Sequence, residues 1–75
     1  MIRVAYQEFE LEPCPMRLRD GTWTLSVHIW RLDTEKAYSA ANTFGTREEA
    51  IAGAIEFGRR IIDGAVPGIE PAGLP

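Results

Sequence analysis

Residues Leu18 to Arg31 read L-R-D-G-T-W-T-L-S-V-H-I-W-R, and every other segment can be placed relative to them. Asp20-Gly21 lies between two alternating apolar runs. A two-residue type I′ turn needs φ > 0 at both central positions, which Asp tolerates and Gly accepts freely. After it, Trp23, Leu25, Val27 and Ile29 alternate with Thr22, Thr24, Ser26 and His28, the period of a half-buried strand. This turn predicts Leu18 opposite Trp23, Met16 opposite Leu25 and Cys14 opposite Val27, all six on one inner face. Carried outward, the same register puts Glu12, not Leu11, on the apolar side. One extra residue repairs the pattern, so the reading includes a β-bulge at Glu12 to Pro15 on an edge strand, where prolines are tolerated.

Working outward, the first strand spans Phe9 to Leu18 and the second Thr22 to Leu32. Residues 1–6 either extend the first strand or form a loose arm. Asp33 to Lys36 is polar and short and suits a hairpin loop. Ala37 to Phe44 then forms a third strand, with Tyr38, Ala40 and Phe44 inside. Asn42 is the misfit on that face, which calls for a hydrogen-bond partner or a bulge. Gly45 ends the strand, and Thr46-Arg47-Glu48-Glu49 has the capping-box pattern of a helix start. Ala50, Ile51, Ala54, Ile55, Phe57, Gly58, Ile61 and Ile62 recur at helical spacing and form one apolar stripe. Small Ala54 and Gly58 predict a close approach of the helix to the sheet under Trp23 and Phe44. Gly64 supplies the C-terminal stop. The last stretch, A-V-P-G-I-E-P-A-G-L-P, is too rich in proline and glycine for regular structure. The expected fold is α+β: a three-stranded antiparallel meander followed by one C-terminal α-helix packed on one face (β-β-β-α). Residues 1–64 form the single domain and residues 65–75 a disordered, flexible tail.

At 75 residues the chain sits near the lower limit for a self-sufficient core. A domain of that size buries only about 60% of its unfolded surface, so a partner can matter to its stability. The net charge of −3 gives no footprint for a polyanion, which makes nucleic acid an unlikely partner. One cysteine excludes an intramolecular disulfide and a multi-cysteine metal site, and it fits a reducing, cytoplasmic setting. M-I-R-V-A-Y-Q-E-F-E contains no apolar run suited to a signal peptide or a membrane span.

No constellation of residues points to catalysis, a cofactor or a metal. The expected register puts Cys14 on the inner face and His28 on the outer, so they cannot act as a pair. Glu10 and Glu12 read as a solvated edge that deters strand addition. Arg17, Arg19, Arg31, Arg59 and Arg60 are dispersed among acids and form no basic stripe. Gly64 and Gly68 follow the helix, where a phosphate loop would precede one.

Two features instead suggest an interface. The outer sheet face carries Thr24, Ser26, His28 and Trp30, then Ser39, Ala41 and Thr43. It is poor in charge, holds a tryptophan, and a single helix cannot cover it. The third strand, Tyr38 to Phe44, has no charge and no proline, so its edge invites pairing. The expectation is a non-enzymatic protein-interaction module that forms a homodimer through that edge or that face. An unidentified second protein is a further candidate partner.

D-G-T-W-T-L-S-V (20–27), N-T-F-G-T-R-E-E-A (42–50) and F-G-R-R-I-I-D-G (57–64) also carry two resemblances. The arrangement resembles small bacterial proteins with a β-β-β-α core, in which the strands run into F-x-T-x-E-E-A and the helix ends near G-R-x-x-I-D. In outline it is similar to the HicB antitoxin family, with a hairpin, a third strand and an E-E-A helix. That resemblance implies a regulator that binds a toxin partner.

Overall fold

The computed structural model describes residues 2–75; Met1, and with it part of the expectation for residues 1–6, lies outside the described residues. Four strands, β1 (Val4–Tyr6), β2 (Phe9–Pro13), β3 (Trp23–Arg31) and β4 (Thr34–Phe44), precede one helix, α1 (Arg47–Ile62). The strands form one antiparallel sheet in the order β1-β2-β3-β4. The class is α+β, as the sequence suggests, but the sheet has four strands where three were expected. The segment expected to be either strand or loose arm is the fourth. It folds back through Gln7-Glu8 so that Val4 faces Leu11 and Tyr6 faces Phe9.

The turn at Asp20-Gly21 differs from the expected one, and the difference moves a whole strand. The Gly21 amide donates to the Leu18 carbonyl (3.0 Å), the Leu18 amide donates to the Thr22 carbonyl (2.8 Å), and Gly21 has φ +87°. This is a three-residue loop, a tight turn closed by a left-handed glycine, and the turn itself contains the extra residue. The bulge expected at Glu12 to Pro15 is therefore unnecessary. Leu11 meets Ile29, Glu12 meets His28 and Pro13 meets Val27 in one unbroken register. Side chains alternate, so the one-residue offset exchanges faces along the returning strand. Met16 and Leu18 are exposed rather than inside, and Cys14, whose amide donates to the Ser26 carbonyl at 3.0 Å, shares the outer face with His28. Pro13 is tolerated in β2 because its nitrogen points away from β3, where no donor is needed.

The second hairpin is also tighter than expected. Arg31 pairs with Thr34, so the loop is Leu32-Asp33 and the strand starts at Thr34 rather than Ala37. Leu25 faces Ala40 instead of Phe44, and the register then shifts between Thr24 and Leu25, so that Trp23 faces Phe44. The irregularity falls at Ala41 and Asn42, where the sequence pattern had its misfit. Because the shift is by two residues, Tyr38, Ala40 and Phe44 keep the inner face expected of them.

The helix begins as its sequence dictates. Thr46 Oγ1 accepts the Glu49 amide at 3.1 Å, although the Glu49 carboxylate returns to the Thr46 hydroxyl (3.1 Å) rather than to its amide. At the other end the Ala65 amide donates to the Arg60 carbonyl and the Gly64 amide to the Ile61 carbonyl, with Gly64 at φ +75°, which is a Schellman stop. Ala50, Ala54, Gly58, Ile61 and Ile62 are buried on the helix, and Phe9, Leu11, Leu25, Val27 and Ile29 on the sheet. The close approach comes at Phe44, as expected, but from Gly53 rather than from Ala54 or Gly58. Gly58 lies on Leu11, where a Cβ would come within 2.8 Å of a methyl carbon, and Gly53 lies on the Phe44 ring.

The tail is not a disordered extension. Val66, Ile69 and Leu74 pack against the core, residues 71–73 form a 3-10 turn, and Lys36 Nζ donates to the Gly73 carbonyl at 3.1 Å. The molecule measures 35 × 27 × 15 Å, the thickness of one sheet and one helix. No helix of the described residues is long and apolar enough to cross a membrane.

Candidate functional site

Six of the seven residues expected to form an interface lie on one face of the sheet by their register. Thr24, Ser26, His28 and Trp30 project from β3 on the side opposite buried Leu25, Val27 and Ile29. Thr43 lies opposite Thr24 and Ser39 opposite Ser26, while Ala41 sits in the irregular stretch between them. The four β3 residues are half-buried and the three β4 residues exposed.

Within this face, Trp30 and His28 are already engaged. The Arg3 guanidinium stacks 4.0 Å from the centre of the Trp30 ring. The Trp30 indole N–H donates to Glu12 Oε1 at 2.7 Å, and Arg3 Nε lies 3.6 Å from the same oxygen. Glu12, 3% exposed, is the one buried charged residue among the described residues, and these two partners satisfy it. A second Arg3 nitrogen lies 3.6 Å from Glu10. His28 Nδ1 and Glu35 Oε2 are 2.8 Å apart across the strand pair. Trp30 is thus covered by an arginine, Arg3 of the N-terminal segment.

Cys14 is on the same face as His28, contrary to the opposite-face expectation, because of the register set at Gly21. It does not form a reactive pair there. Its thiol contacts the Glu12 carbonyl at 3.5 Å. Burial, and then the nearby Glu12 and Glu35 charges, push its pKa up and hold the thiol protonated. Among the described residues no group of His, Cys, Asp and Glu is arranged to hold a metal ion.

The edge of the sheet at β4 is open. Arg31–Thr34 closes a two-residue turn and is therefore a hydrogen-bonded pair, and bonding alternates along an antiparallel ladder. The N–H and C=O groups of Thr34, Lys36, Tyr38 and Ala40 face β3, and those of Glu35, Ala37 and Ser39 face outward. The bond from Cys14 to Ser26 fits the same alternation, since even-numbered β3 residues bond to β2. The helix lies over β2 and β3, so the inner side of β4 is only partly covered. A groove of about 430 Å³ opens there, with Leu25, Ala40, Phe57 and Val66 as its apolar lining and Asn42 and Arg60 among its polar groups. Only the whole fold reveals this groove, since it depends on where the helix and tail come to rest.

These features define a small α+β protein with its helix on one sheet face and β4 as an edge strand. No family model matches the chain, and no curated protein or solved structure is significantly similar to it.

Proposed function

We propose that this chain is a small non-enzymatic interaction module of the cytoplasm that forms a homodimer by antiparallel pairing of two β4 edges. The observation that carries this reading is the outward row of backbone groups at Glu35, Ala37 and Ser39 on an eleven-residue edge strand without charge from Ala37 to Phe44. Natural edges are usually blunted by charge, proline or a bulge. The irregularity at Ala41 and Asn42 interrupts β4 only after Ala40, which leaves a straight segment free.

Side-chain chemistry selects the register. A two-fold axis at Lys36 sets like charges opposite each other, which disfavours that pairing. An axis at Ala37 sets Lys36 opposite Tyr38 and Glu35 opposite Ser39, and joins all the outward backbone groups. This pairing keeps both helices on one side of a continuous sheet and sets the groove of each copy, at Ala40, beside Thr34 of the other. Exposed Ser39, Ala41 and Thr43 flank the seam on the other side. Trp30, held by Arg3 and Glu12, is less available than its exposure in an isolated hairpin suggests.

Ser39→Pro is the discriminating variant. The Ser39 amide makes no bond to β3, so proline there removes an outward donor and spares the ladder. Sedimentation equilibrium at high micromolar concentration is expected to give twice the 8.4 kDa chain mass for the parent and a single chain for Ser39→Pro. A monomeric parent at that concentration rules the reading out.

A further inference from the structure

The opposite edge of the sheet is made by its least rooted element. β1 has three residues, none of them buried. It is fixed by side-chain contacts at its two ends. At one end Arg3 stacks on Trp30 and reaches Glu10 and Glu12. At the other the Tyr6 hydroxyl donates to the Asp63 carboxylate (2.8 Å), and the Arg59 guanidinium lies 5.7 Å from the centre of its ring. The hinge is Gln7-Glu8 alone, and Gln7 is held at φ 56°, a conformation that suits glycine.

The surface that receives this arm belongs wholly to the rest of the chain. It consists of the β2 edge, the Trp30 ring with Glu10 and Glu12 beside it, and Asp63 at the end of the helix. It fits Arg3-Val4-Ala5-Tyr6 from any copy equally well. We propose that β1 is an exchangeable arm, and that this surface accepts the Arg3–Tyr6 segment of a second copy. A short strained hinge is the setting in which such exchange occurs. Opening it releases the left-handed Gln7, a gain set against the Arg31–Glu8 ion pair (2.9 Å) and the Gln7 contact to Asp63 (3.4 Å) that hold the closed hinge. Against exchange stands also the effective concentration of a tethered arm, in the millimolar range. The closed arm therefore dominates in dilute solution, and exchange takes over when closure is prevented. This interface lies on the sheet edge remote from β4 and stands independently of pairing there.

The test uses the Ser39→Pro background, so that pairing at β4 cannot contribute. Deleting Gln7 and Glu8 leaves too little chain for β1 to fold back on its own β2. The shortened chain is expected to sediment at twice the mass of its parent. Its Arg3 peptide bond should be as resistant to trypsin as the parent's, and adding Arg3→Ala should return it to a single chain. A monomer whose Arg3 bond is cut faster than the parent's overturns the proposal. Gln7→Pro keeps the chain length and excludes the positive φ. It carries the same two outcomes and decides the matter where the deletion does not fold.

Discussion

Leu32 and Gly58 represent the two kinds of residue whose backbone the fold constrains most. Leu32 is 91% exposed and sits at φ 56° in the two-residue turn between β3 and β4, where glycine is the usual occupant. Its side chain has little to lose on removal. Leu32→Gly is therefore expected to raise stability by about 1 kcal/mol, read as a higher urea midpoint with an unchanged slope. Gly58 faces the opposite constraint. Alanine normally stabilises a helix interior, but here the added methyl would meet fully buried Leu11, which has nowhere to go. Gly58→Ala is expected to cost about 1–3 kcal/mol by overpacking, and thermal unfolding would measure it. A midpoint equal to the parent's would mean that helix and sheet are not as close as the backbone requires. The apolar spacing made both Gly58 and its contact side legible in the sequence. Nothing in the spacing marked Leu32, because a strained leucine turn has no compositional signature.

Among the elements, β1 depends most on polar contacts. The Tyr6 hydroxyl donates to Asp63, which favours the neutral phenol and, with a smaller contribution from burial, raises its pKa. A raised folded-state value means that the stabilisation is complete below the unfolded value of about 10 and is lost as pH rises through the folded one. The stability difference between the parent and Tyr6→Phe should thus be constant from neutral pH to about 9 and shrink above 10. Urea midpoints across that range test it, and a difference that grows with pH would contradict the assignment. Asp20 behaves in the reverse sense. Its bonds from Thr22 lower its pKa, so they stabilise the β2–β3 turn above the ordinary carboxylate range and fade as acid protonates it. The alternation on β3, the helix with both its caps, and the position of the first turn were all readable. The number of residues in that turn was not, and the faces of Met16, Leu18 and Cys14 depend on it. An Asp-Gly pair suits either a two-residue loop or a three-residue loop ending in left-handed glycine. Leu11 on Ile29 decides between them, since it buries both residues without a second bulge.

At the scale of the whole molecule, one sheet and one helix leave too little core for the last residues to be idle. Val66, Ile69 and Leu74 extend the apolar cluster beyond the helix, and the Lys36 bond to Gly73 ties the tail to β4. Ending the chain at Ala65 keeps the Schellman stop but removes those three side chains. It is expected to lower stability by about 2–3 kcal/mol, given that each is only partly buried. An unchanged urea midpoint would mean that the tail contributes nothing. The secondary structure of the central hairpin, the helix with its caps, the inner face of β4 and the charge-free run along it are all legible in the order of residues. These follow from local periods and from turn and cap chemistry. The fourth strand made by the N-terminal residues, the cover of Arg3 over Trp30 and Glu12, and the docking of the tail come from the folded arrangement alone. Each of those depends on residues far apart in the chain that share apolar surface or an ion pair, and no local pattern records such a match.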